Sequence, residues 1–170
     1  MRHGVKRRRL AVLGVVVLLC VIFGGVSRSI IHYLRNSDDH VYIFQDIEEC
    51  RKLALYENDA TVTLYDNPDR DKNYRAQSYL SFVDMNYQSK TMSFTLYAYE
   101  FENEDLAKQY FVKATGKKYD SDYYWSKSGG MTQYQIVVAF ENKAYCLKTK
   151  LRYVKSVDAL LAKEFSNMLR

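Results

Sequence analysis

Thr91-Met-Ser-Phe-Thr-Leu-Tyr-Ala-Tyr-Glu-Phe101 carries the cleanest alternation in the chain. Met92, Phe94, Leu96 and Ala98 fall on one side of an extended strand, and Ser93, Thr95, Tyr97 and Tyr99 on the other. Successive side chains of a strand point to opposite faces, so this pattern predicts a sheet with one apolar and one polar face. Working outward, Ala60–Tyr65 sets Ala60, Val62 and Leu64 against Thr61, Thr63 and Tyr65, and Gln77–Met85 reads as a strand that ends in an Asn86–Lys90 loop. Tyr123–Lys127, Thr132–Phe140 and Lys143–Leu151 give three more, joined by Ser128-Gly129-Gly130 and by a tight Glu141-Asn142 turn.

Three helices punctuate these strands. Asp46-Ile-Glu-Glu49 has the layout of a capping box, with Ile47, Cys50, Leu53 and Ala54 following at helical spacing. Val41–Phe44 before it reads as a short strand or as the entry to this helix. Asn103 caps a second helix with Glu104 and Asp105 in its positive first turn, and Gly116 is its stop. Ser156 caps a third, with Val157, Leu160, Leu161, Phe165, Met168 and Leu169 on one side. The predicted order is α-βββ-α-βββ-α. Short links force antiparallel pairing. The expected fold is α+β: an antiparallel sheet of five or six strands with two or three helices on one face, in two layers. The two α-βββ units share a strand–cap–acid–apolar layout at Phe101–Leu106 and Val154–Ala159, which any strand-to-helix junction also shows.

The N-terminus is of another kind. Residues 1–9 hold five basic side chains and no acid, and an uncharged stretch runs from Leu10 to Ser27. Those 18 residues span roughly 27 Å as a helix, close to a bilayer core of about 30 Å. Gly25-Val26-Ser27 is a weak match to a signal-peptidase site, and Cys20 after Leu19 does not fit lipidation. The expectation is therefore an uncleaved anchor. Residues 1–9 are a cytoplasmic tail, 10–35 a transmembrane helix with an interfacial extension, 36–45 a juxtamembrane hinge, and 46–170 an extracytoplasmic domain at the plasma membrane. This segment also owns the net charge of +5: without residues 1–9 the chain has 20 bases and 20 acids. The basic pI is no nucleic-acid footprint, and no nucleic-acid partner is expected.

The catalytic inventory is thin. His3, His32 and His40 all precede the folded domain, which excludes a Ser-His-Asp or Cys-His catalyst within it and a His/Cys zinc site. Lys127-Ser128-Gly129 matches a fragment of the penicillin-binding-enzyme motifs, but Ser-x-x-Lys is absent and a hairpin turn is the better reading. Asp69-Arg-Asp71-Lys-Asn73 has the first spacing of a calcium loop, yet Tyr74 stands where Gly belongs and Leu80 where the bidentate Glu belongs. No cofactor, metal or enzymatic activity is expected. Cys50 and Cys146 can pair in an oxidising compartment or be buried singly. The sixteen tyrosines remain. Tyr97 and Tyr99 on one strand, with Tyr123, Tyr124 and Trp125 on another, suit an open sheet face that binds a protein or cell-envelope partner. The alternatives are a hydrolase or transferase working through Asp and Glu, and an accessory subunit of a membrane complex.

Overall fold

The computed structural model describes residues 41–67, 78–117, 123–129, 132–165 and 167–169, with the backbone alone for 123–129 and 167–169. The expected transmembrane helix at 10–35, its flanks at 1–9 and 36–40, and the calcium-like spacing at Asp69–Asn73 lie outside the described residues. Among the described residues no helix is long and apolar enough to cross a membrane.

The elements run β1 (Val41–Ile43), α1 (Ile47–Lys52) with a 3₁₀ turn at Leu53–Leu55, β2 (Thr61–Leu64), β3 (Tyr79–Gln88), β4 (Ser93–Phe101) and α2 (Glu104–Thr115). Then come β5 (Tyr123–Gly129), β6 (Gln133–Phe140), β7 (Lys143–Lys150), a 3₁₀ turn at Leu151–Tyr153, α3 (Val154–Glu164) and β8 (Asn167–Leu169). Among the described residues a six-stranded sheet has the order β2-β3-β4-β7-β6-β5, and β1 pairs with β8 as a separate ribbon. Every pairing is antiparallel. The α+β class and the alternation of helices with three-stranded meanders agree with the sequence.

Local chemistry starts and stops two helices as expected. Asp46 accepts the amide of Glu48 at 2.9 Å, and the carboxylate of Glu49 reaches back to the amide of Gln45, also at 2.9 Å. Asn103 accepts the amide of Leu106 at 3.1 Å. Gly116 closes α2 with a left-handed φ of 69°, which costs a residue without a Cβ little.

The layering is a correction. The expectation of a two-layer sandwich with all helices on one face does not hold. On β4 the residues Tyr97, Tyr99 and Phe101 pack under α2 with Ala107, Tyr110 and Phe111, together with Val137 of β6 and Ala144 and Cys146 of β7. On the opposite face Tyr145 of β7 meets Phe44 and Phe165, at ring-centroid distances of 6.4 and 5.7 Å, and donates its hydroxyl to the carbonyl of Tyr42 at 2.8 Å. Met85, Leu96 and Leu147, which share that face by register, are fully buried. Helices thus cover both faces: α2 one, and α1 with α3 and the β1–β8 ribbon the other. From Leu96 to Tyr99 both sets of alternating positions on β4 are therefore core, because Tyr buries a large apolar ring as readily as Phe does. The α-βββ units are not structural copies either, since α1 and α2 lie on opposite sides of a symmetric strand order.

Two element ends also differ. The third helix starts at Val154 behind Tyr153 with no side-chain cap, so Ser156 sits within its first turn. It stops at Glu164, where Phe165 turns extended (φ −94°, ψ 121°), and Asn167–Leu169 becomes β8 rather than more helix. The spacing of Phe165, Met168 and Leu169 continues the helical stripe, but β1 offers a strand partner that local periodicity does not reveal.

Tyr99 is the hub of the α2 face, with rings of Tyr110 at 5.0 Å, Tyr79 at 5.7 Å and Phe101 at 5.7 Å. Tyr99→Ala is expected to destabilise the protein by about 3–5 kcal/mol in denaturant unfolding; a loss under about 1 kcal/mol would show that the ring is not core. At the β6–β7 turn Glu141 holds a strained φ of 51°. Glu141→Gly removes the Cβ conflict and is expected to raise stability by about 0.5–1 kcal/mol, read from the shift of the same unfolding curve.

Candidate functional site

The α2 face is covered over only part of its area. Where Phe82, Tyr99, Ala144 and Ala139 lie side by side, it is buried beneath the helix or partly so. Toward the other end of the strands the cover is lost and the composition changes. A row of Thr63, Asn86, Thr95, Lys148 and Gln135 crosses five strands in direct register, from β2 to β6. At about 4.8 Å per strand this row is roughly 19 Å long. The next row outward is Thr61, Gln88 and Ser93 on β2, β3 and β4, with Lys150 and Gln133 paired on β7 and β6. Thr61, Thr63, Gln88, Gln133 and Lys150 are exposed, and the other five are half-buried.

These side chains are organised. Asn86 donates its amide to the hydroxyl of Tyr65 at 3.1 Å and accepts from Thr95 Oγ1 at 2.8 Å, which fixes the orientation of its side chain. Lys148 places Nζ 6.0 Å from the ring centroid of Tyr97, within cation–π range. Below this edge Thr149 donates to the carbonyl of Ser93 at 2.6 Å. The hairpin beyond it is pinned to the β2 side, since Thr91 Oγ1 hydrogen-bonds Glu57 Oε1 and Lys90 pairs with Asp59 at 3.3 Å. Tyr87 lies on the opposite face at this end, where burial first and the Glu57 carboxylate second push its phenol up. The half-face offers hydroxyls and amides, both donors and acceptors, with lysine as its charged group. The exposed large hydrophobics are elsewhere: Leu55 on the first 3₁₀ turn, Leu64 opposite Met85 on the other face, and Leu80 at the bulge that opens β3.

The residues singled out from sequence fare differently. Tyr97 is 6% exposed and Tyr99 is fully buried, so neither lines an open face. Tyr123, Tyr124 and Trp125 are on the edge strand β5, opposite Phe140, Ala139 and Val138, and their side chains lie outside the described residues. Tyr97 and Tyr99 are thus no part of an open aromatic surface. The polar rows were missed because Asn86 and Gln88 read as a loop after Met85, whereas the strand continues through them. The available signal was the persistence of alternation in Asn86-Tyr-Gln88 and Gln133-Tyr-Gln-Ile136.

Of the two readings of Cys50 and Cys146, a bridge or two singly buried thiols, the structure has the second. Both thiols are free and buried. Cys146 lies under α2 beside Tyr97 and Val137, whereas Cys50 is on α1 across the sheet near Tyr145. A sheet separates them, and no side-chain rotation joins them. Burial pushes the Cys50 thiol well up, with the Glu49 and Asp46 carboxylates adding to it, and burial pushes the Tyr145 phenol up in the same way. Both groups hold their protons in the folded state at a pH where the unfolded chain releases them. Their contribution to stability is complete below about pH 8.5 and is lost as pH rises above that value for Cys50 and above about 10 for Tyr145. The denaturation midpoint should fall progressively from about pH 8.5 upward, and Cys50→Ala should make that fall shallower between about pH 8.5 and 10. A slope unchanged by Cys50→Ala would remove Cys50 from this account.

Comparison of the sequence with protein-family models gives no match, and comparison with curated proteins finds no similar one.

Proposed function

We propose that this chain is a membrane-anchored, extracytoplasmic binding module without catalytic activity, and that it holds a cell-envelope partner on the polar half-face of its sheet. The observation that carries this reading is the pair of polar rows in strand register, exposed or half-buried on a sheet whose opposite face is packed by helices and the β1–β8 ribbon. A sheet face this regular that stays hydrated presents a ladder of hydrogen-bonding groups to an extended ligand. The absence of an apolar patch on it favours a hydrated, hydroxyl-bearing chain over a protein interface core, which is apolar and poor in charge. The anchor at residues 10–35 and the outward orientation belong to the same proposal and rest on the basic tail and apolar run.

The test is co-sedimentation of the full chain, in non-ionic detergent, with purified bacterial cell walls. Thr63→Ala, Gln88→Ala and Gln135→Ala together change no charge and remove no buried ring. The triple variant is expected to lose affinity by about tenfold or more while its Tm moves by less than about 4 °C. Undiminished binding at unchanged Tm would remove the half-face from consideration.

A further inference from the structure

At one end of the polar half-face the outer row runs into a cavity. Thr132, Gln133, Lys150, Leu151 and Arg152 line an open depression of about 520 Å³. Its floor is held by the amide of Leu151 donating to the carbonyl of Thr132 at 3.4 Å, which continues the β6–β7 ladder past Gln133 and Lys150. Two of the five lining residues are cations and none is acidic. Lys150 and Arg152 are both exposed, and among the described residues neither forms an ion pair. Arg152 stacks over the Tyr153 ring at 4.5 Å, which holds the planar guanidinium in place.

We infer that this cavity is an oxyanion subsite, which takes a phosphate or carboxylate group carried by a hydroxyl-rich glycan chain lying along the polar rows. The inference rests on the binding reading above and names the chemistry of its ligand. Arg152 supplies the fork of N–H donors that matches a planar or tetrahedral oxyanion bidentately, and Lys150 adds a mobile point charge from the strand end. Thr132 and Gln133 add a hydroxyl and an amide at the rim. Gln133 and Lys150 belong at once to the cavity and to the outer row, so a chain seated on the rows can reach the cavity without a bend. Among the described residues this surface has too few cations for a nucleic-acid backbone, which is held by many phosphate contacts.

The experiment measures binding of the full chain, in non-ionic detergent micelles at about 0.1 M salt, to dextran, carboxymethyl-dextran and phosphorylated dextran. The basic tail is common to all variants, so differences between variants report on the cavity. Wild-type protein is expected to bind at least one charged polymer about tenfold or more tighter than dextran, with the preference falling as salt rises. Arg152→Gln, which leaves both polar rows intact, should lower the preference severalfold and leave dextran binding unchanged; Lys150→Gln added to it should lower the preference further. The two charged polymers distinguish phosphate from carboxylate. Equal affinity for charged and neutral polymers would overturn the subsite and leave the half-face reading intact. Preference undiminished in the double variant would place the anion elsewhere and also overturn it. Binding to none of the polymers would overturn the subsite together with the glycan reading beneath it. Capture of anionic phospholipid vesicles in place of polymers, lost in the double variant, would overturn it in favour of a membrane contact.

Discussion

The pairing of β4 with β7 is the contact on which the rest depends. Each belongs to a different three-stranded meander, and their seven registered positions from Phe94↔Thr149 to Glu100↔Lys143 are the only ladder that joins the two halves of the described sheet. A slip of one residue there would exchange the faces of one meander relative to the other. The observed register puts Tyr97 beside Cys146 and Tyr99 beside Ala144 for α2 to cover, and Leu96 beside Leu147 and Ala98 beside Tyr145 for the terminal elements to cover. In three of these four pairs a small residue sits opposite a large one. That choice leaves room for the Tyr99 ring on one side and the Tyr145 ring on the other without overpacking either.

Two-sided burial explains the heavy tyrosine content. A strand covered on both faces needs large side chains at every position, and Val, Leu and Phe alone would give a continuous apolar run. Tyrosine fills the same volume and brings a hydroxyl that can reach a backbone group at the boundary of the core. Tyr145 does so with the carbonyl of Tyr42, tying β7 to the start of the described domain more than a hundred positions away in sequence. An apolar–polar alternation was the natural reading of Ser93–Tyr99, because tyrosine counts as half-polar in any sequence pattern. In this fold it is core wherever α2 reaches it.

Most of what the residues reveal locally holds, the Ser156 cap and the Asn86–Gln88 loop excepted, and most of what they conceal is non-local. Asp46, Asn103 and Gly116 act within their own turns, so their roles are visible in a few neighbouring letters. The strands β4, β6 and β7 announce themselves by period, and the Glu141-Asn142 hairpin by its spacing. The side of the sheet on which each helix lands is decided by how the assembled sheet packs, and no local pattern encodes it. The same holds for β8, whose three residues are a strand only because β1 stands beside them. The polar rows illustrate the difficulty at the functional level. Thr63, Asn86, Thr95, Lys148 and Gln135 come from five segments, and their alignment exists only after the sheet has formed.

The size of α2 accounts for the existence of the open half-face. Its twelve residues make a cylinder about 18 Å long and about 10 Å across, whereas β3 alone, with ten residues, extends about 33 Å. One helix cannot cover one face of six such strands. On the opposite face α1, α3 and the β1–β8 ribbon share the task, and the residues there are apolar along the length of β3 and β4 from Val83 to Met85 and from Phe94 to Ala98. On the α2 face the cover ends near Tyr97. Beyond that line the chain had to choose between apolar residues that demand a partner and polar residues that tolerate water. It carries Thr, Asn, Gln, Ser and Lys at successive inward positions of five strands, while keeping the strands themselves long and in register. Extended strands with nothing apolar to bury on that face are not required by the core beneath α2, which would be complete with shorter ones. Their persistence past the edge of the helix serves the opposite face, where Tyr87, Phe94 and Tyr134 are buried at the same end of the strands.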